Sequence, residues 1–129
     1  RSVRASIRVG EEFVIEKGAS GKVLLAFTEP QDSRWNETRA QLWAVSYGER
    51  DPETASVSVP VFGATGELVG AHTVSGPKGR FDVPTVIATA LRNLLENAKR
   101  ATVALGGNGG RYEANIALAK DEAFLVSRS

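Results

Sequence analysis

Hydroxyl groups, rather than nucleophiles or metal ligands, are the polar side chains this sequence repeats at structured spacings. Ser20 stands with Gly21 and Lys22 at the head of an apolar run. Ser46 follows Trp43. Ser56 and Ser58 alternate with Val57, Val59 and Val61, and Thr73 and Ser75 alternate with His72 and Val74. Such oxygens donate and accept hydrogen bonds while leaving volume for a guest. Side chains two apart share a strand face, so Ser56 and Ser58 fall on one side of their strand, and Thr73 and Ser75 on one side of theirs. A face of this kind is either a solvated surface, which the pattern alone favours, or the wall of a small polar cavity.

Catalysis would need more. The chain has one histidine, His72, and no cysteine. Thiolate chemistry and disulfides are therefore excluded, and zinc, which takes three or four ligands, lacks the donors. His72 shares a parity with Leu68 and Val74 and reads as a packed core histidine pointing away from Thr73 and Ser75. A Ser/His/Asp arrangement drawing on Asp51 or Asp82 finds no nucleophile elbow. Gly106 to Gly110 lacks the Lys-Ser/Thr ending of a phosphate loop. Glu49, Arg50, Asp51 and Glu53 read as a solvated loop, or else as a lid or an interface ion pair. No catalytic residue, metal ligand or cofactor is assigned.

Sixteen Lys and Arg against fifteen Asp and Glu leave a formal charge of +1 in 129 residues. That is too little basic excess for the chain to hold nucleic acid alone, since phosphate neutralisation supplies most of such affinity. The longest apolar runs, such as Val23 to Phe27, are too short to span a bilayer, and no signal peptide is visible. These features fit a cytoplasmic protein. The chain contains no methionine and is read as a piece of a longer protein.

Around the hydroxyls, the pattern predicts a strand over Val3 to Val9 and a short one at Phe13 to Ile15. A helix opens near Gly18 with Ser20 as its N-cap and runs to Phe27. A short helix over Glu37 to Leu42 feeds a strand at Trp43 to Tyr47. A hairpin follows, Thr54 to Phe62 and Glu67 to Ser75, turning at Gly63-Ala-Thr-Gly66. Asp82 caps a long helix whose stripe is Ile87, Leu91, Leu94, Ala98, Ala101 and Leu105. Gly106 ends it, and Gly106 to Gly110 looks like a flexible linker before a last helix over Tyr112 to Val126.

Three stretches together resemble the effector-binding domain of the IclR family of bacterial transcription regulators. They are Glu16-Lys-Gly-Ala-Ser-Gly-Lys-Val-Leu-Leu-Ala26, Trp43-Ala-Val-Ser-Tyr-Gly-Glu-Arg50, and Ala55 to Phe62 continuing through Leu68 to Pro77 and Arg80. The resemblance covers roughly residues 1–106, with 107–129 a Gly-rich linker and C-terminal tail. It implies an α+β, GAF-like fold: a curved, mainly antiparallel sheet with helices packed on one face, incomplete at its N-terminus. It also implies an effector, a small organic acid or aromatic compound, bound by Ala19, Ser20, Ser46, Ser56, Thr73 and Ser75. Free amides of Ser20, Gly21 and Lys22 at a helix start would suit a carboxylate. Self-association as a homodimer or homotetramer is implied, and DNA binding only through an absent N-terminal winged helix-turn-helix. The chain departs from the family in having serine at 46, where an acidic residue is common nearby, and in a short Thr28 to Leu42 connection. Two other readings remain: a GAF-like enzyme or signalling domain, and a pairing module without a ligand.

Overall fold

A computed structural model describes residues 18–119. The strands expected over Val3 to Val9 and Phe13 to Ile15, and the tail helix beyond Ala119, lie outside the described residues.

Helix α1 spans Ala19–Thr28. Its N-cap is Gly18, not Ser20: Gly18 is extended (φ −108°, ψ 153°), and its carbonyl accepts the Lys22 N–H at 3.0 Å. Glycine suits this place because a Cβ there would stand 2.9 Å from Cδ of Arg50. After α1 come a 3-10 turn, Ser33–Trp35, and a short helix α2, Asn36–Gln41. One side chain ties this connection down. The Arg39 guanidinium donates to the carbonyls of Ala26 (2.8 Å), Glu29 (3.2 Å) and Asp32 (2.6 Å) and to Asn36 Oδ1 (2.6 Å). It thereby satisfies carbonyls at the end of α1 that the helix itself leaves open. Leu42 then turns the chain sharply in a left-handed conformation (φ 66°, ψ 31°). That conformation is costly for a branched residue, and the burial of Leu42 in the core holds it there.

The sheet has three antiparallel strands in the order β1-β2-β3: β1 Ala44–Tyr47, β2 Thr54–Phe62 and β3 Leu68–Pro77. Alternation sorts β2 cleanly. Ala55, Val57, Val59 and Val61 join one core cluster with Ile87, Leu91, Leu95 and Ala98 of the long helix α3, Pro84–Ala104. Each fully buried valine contributes about 1.5–3 kcal/mol. The other face carries Ser56 and Ser58. Helix α1 touches all three strands, while its buried Ala19, Val23 and Ala26 lie outside the α3-side cluster. We therefore place α1 across the hydroxyl face.

Several expected details shift. Asp82 ends a 3-10 turn, Lys78–Asp82, and the N-cap of α3 is Val83, without a side-chain cap. The buried seam of α3 adds Leu95 and Thr102 to the expected stripe; Leu94 and Ala101 are half-buried against the same core, and Leu105 is exposed. Thr102 is drawn in by polar contacts. The Phe62 N–H donates to Thr102 Oγ1 (3.1 Å), the Thr102 and Tyr112 hydroxyls bond at 2.9 Å, and Tyr112 Oη donates to the Pro60 carbonyl (2.8 Å). A single proton order satisfies this chain, which begins and ends on the β2 backbone. The glycine run is a packed turn rather than a loose linker. Gly106 takes φ +90°, and a Cβ on Gly107 would stand 2.6 Å from the Gly63 carbonyl oxygen, against the hairpin turn. A 3-10 turn at Gly109–Tyr112 and helix α4, Glu113–Ala119, follow. Tyr112, Ile116 and Ala119 lie in the same core as the sheet.

Replacing Tyr112 with Phe keeps the ring and strands the Pro60 carbonyl. The expected cost is about 1–3 kcal/mol, read as a lower urea midpoint with an unchanged m-value.

Candidate functional site

Strand register assembles the hydroxyls. Ser46 pairs with Ser56 and Ser56 with Ser75, forming one row across all three strands. Ala44, Ser58 and Thr73 form the next row on the same face. Directly paired residues have Cβ atoms about 4.5–5.5 Å apart. Ser58 Oγ and Thr73 Oγ1 are hydrogen-bonded at 2.8 Å. Ser46 and Ser58 are buried, Ser56 is half-buried, and Thr73 and Ser75 are exposed. The face therefore opens toward solvent on its β3 side. Ser58 was not among the expected site residues, although its shared parity with Ser56 was the signal for it.

Three contacts fix where α1 starts relative to these rows. Lys22 Nζ donates to the Val45 carbonyl at 2.9 Å, next to Ser46, and pairs with Glu49 at 2.9 Å in the turn after β1. Arg50 lies against Gly18. At the far end of α1, Phe27 meets Phe62 edge-on, with ring centroids 5.1 Å apart. Helix α1 thus begins at the Ser46–Ser56–Ser75 end of the sheet and finishes at the Phe62 end. Ala19 is buried there and Ser20 half-buried. Because Gly18 caps the helix, the amides without an intrahelical acceptor are those of Ala19, Ser20 and Gly21, one residue earlier than expected. Arg50, read from sequence as part of a solvated loop, adds a guanidinium beside the positive end of the helix. The Lys22 and Glu49 side chains are 18% and 41% exposed, so their ion pair is worth under about 1 kcal/mol.

The opposite face has different chemistry. His72 pairs with Val59 on the α3 side, so no imidazole stands beside the hydroxyls. Tyr47 donates its hydroxyl to the Phe81 carbonyl at 2.7 Å. Among the described residues, no three His, Cys, Asp or Glu side chains are grouped to hold a metal ion, and no helix is long and apolar enough to cross a membrane.

The family model of the bacterial transcriptional regulator IclR C-terminal domain matches residues 32–103, more than half of the chain. The chain belongs to the IclR family. This IclR-type domain is similar to solved structures throughout its fold. A protein described as an IclR transcriptional regulator from a Silicibacter species is 25% identical, with a TM-score of 0.66, covering 83% of this chain and 53% of that one. Thermotoga maritima IclR is 23% identical, with a TM-score of 0.68, and the coverage is 82% and 53%. The inducer-binding domain of the Acinetobacter transcription factor PobR, a double mutant in complex with 3-hydroxybenzoic acid, is 18% identical, with a TM-score of 0.61, covering 77% and 73%. The chain spans about half the length of the first two. No curated protein sequence matches it.

Tyr47 and Tyr112 are the two tyrosines of the domain, and both phenols are pushed above the ordinary value. For Tyr47 the cause is burial and then the Asp82 carboxylate. For Tyr112 it is burial, partly offset by the Thr102 bond. Folding favours the neutral phenols, so this contribution to stability is complete below the unfolded-state value of about 10 and is lost as pH rises through the folded-state values. In a spectrophotometric titration, the tyrosinate midpoint of the folded domain should lie above that of the urea-denatured chain. Coincident midpoints would contradict the burial of these two hydroxyls.

Proposed function

We propose that this domain senses a small organic acid or aromatic acid, seated between the start of α1 and the hydroxyl face of the sheet. The observation carrying this reading is the coincidence of two features at one end of the sheet. One is the Ser46–Ser56–Ser75 row; the other is the α1 start, with its open amides and Arg50. A carboxylate would accept from the amides of Ala19, Ser20 and Gly21, and Ser46, Ser56, Thr73 and Ser75 would bond the remaining polar groups. The 3-hydroxybenzoic acid held by the PobR domain supports an acid of this size. In a longer regulator, binding would shift a pre-existing equilibrium between subunit arrangements of a homodimer or homotetramer. DNA would be read by a separate N-terminal winged helix-turn-helix. The domain binds and signals in this reading and performs no catalysis.

The exposure of Thr73 and Ser75 favours one rival, a pairing module whose hydroxyl face is merely solvated. Thermal shift against a panel of aliphatic and aromatic acids separates the two. An acid at a hundred times its Kd should add about 2.7 kcal/mol of stability. In Ser75→Val the unliganded Tm should hold while that gain disappears; Thr73→Val should lose the gain as well, with a lower unliganded Tm because it strands the buried Ser58 hydroxyl. A panel without a binder, or a full response in both variants, overturns the effector seat.

A further inference from the structure

The two outer strands of the serine row meet again on the opposite side of the sheet, at Phe81. Tyr47, Ala55 and Gly76 form the cross-strand row next to Ser46, Ser56 and Ser75. Adjacent residues of a strand face opposite ways, so this second row faces α3. Phe81 is the buried residue that bridges its two outer strands. Its carbonyl accepts the Tyr47 hydroxyl of β1 at 2.7 Å. Its ring lies on Gly76 of β3, where a Cβ would stand 3.1 Å from Cε2. Only Asp82 and Val83 separate Phe81 from Pro84, the first residue of α3. The Val83 carbonyl accepts the first amides of that helix, Val86 N–H at 3.0 Å and Ile87 N–H at 3.4 Å.

We propose that Phe81 is a positioning residue that carries the state of the serine row to the start of α3. The inference rests on the effector seat proposed above and assigns the route by which that seat is read. Consecutive strand residues ride on one backbone, about 3.3 Å apart. A guest that wedges β1 from β3 on the hydroxyl face therefore moves Tyr47 and Gly76 with Ser46 and Ser75. Phe81 is held by both strands, through its carbonyl from one and its ring from the other, so it follows their separation. Val83 passes the displacement to the first turn of α3. That helix has 21 residues and a length of about 30 Å, so a change of angle at its start becomes a displacement at the exposed Val103 and Leu105. The link is a coupling free energy between two places in the fold.

The test uses a wall substitution in place of a ligand, on the full 129-residue chain. Ser56→Val perturbs the middle of the row, and amide hydrogen exchange is read at Val86 and Ile87, with Leu95 as the mid-helix reference. Ser56→Val should change exchange at Val86 and Ile87 by about threefold or more relative to Leu95. In the Tyr47→Phe background that response should vanish. If the Tyr47 hydroxyl only stabilised the fold, Tyr47→Phe would alter exchange by the same factor with or without Ser56→Val. No response to Ser56→Val, or equal responses in both backgrounds, overturns the proposal. Gly76→Ala provides a second arm should Tyr47→Phe fail to fold: it presses on the Phe81 ring and should change the same two amides with Ser56 intact, and silence there is equally fatal. Because no acid is present, failure here leaves the effector seat standing, whereas failure of the acid panel removes the seat itself.

Discussion

Strand β2 is hydrogen-bonded along both edges and covered on both faces, and the organisation of this domain follows from that enclosure. Its valines face α3 and its serines face α1. A slip of one residue in either pairing would turn the valines toward α1 and the serines into the apolar core. Burying unpaired hydroxyls and exposing apolar surface both cost free energy, so the register is strongly specified. It is also pinned at one end of β2. There the Thr102 and Tyr112 hydroxyls grip the strand backbone at Phe62 and Pro60. Pro60 has no N–H of its own, and its carbonyl is taken by Tyr112 from outside the sheet.

With β2 fixed, α1 becomes the second reference element. Its C-terminal end is held by Arg39, which gathers carbonyls from α1 and from the connection after it. Its N-terminal end is held by Lys22 on the edge of β1 and by the Arg50 side chain lying on Gly18. A helix tied at both ends keeps its open amides at a constant place over the sheet. Rigid placement of this kind is what an acid-binding seat requires, because preorganised donors need not be reordered when the guest arrives.

The faces of the sheet divide the labour. Hydroxyls, an amide-rich helix start and two basic residues gather at one end of the α1 side. The α3 side is largely apolar, with the Tyr47, Thr102 and Tyr112 hydroxyls hydrogen-bonded, and it communicates with the other through the paired rows Ser46–Ser56–Ser75 and Tyr47–Ala55–Gly76. The glycines at 106 and 107 belong to this mechanical frame. They let the end of α3 approach the hairpin turn closely, which brings Tyr112 within reach of β2.

Much of this was already legible in the residues alone. Alternation of serine with valine gave the hairpin its two faces, the three- and four-residue spacing of apolar residues gave α3, and the three quoted stretches pointed to the IclR family. These are properties of local backbone geometry, since periods of two and 3.6 are set within one element. Tertiary contacts decided the rest. The room for glycine alone at the Gly18 cap is set by Arg50, 32 positions away in sequence. The burial of Thr102 in the α3 seam depends on a backbone amide at Phe62, and the Ser58–Thr73 bond depends on strand register. The sequence by itself therefore determined which face each side chain takes within its own strand or helix. Only the folded chain decided which faces meet and at what distance, because those contacts join residues that no local period relates.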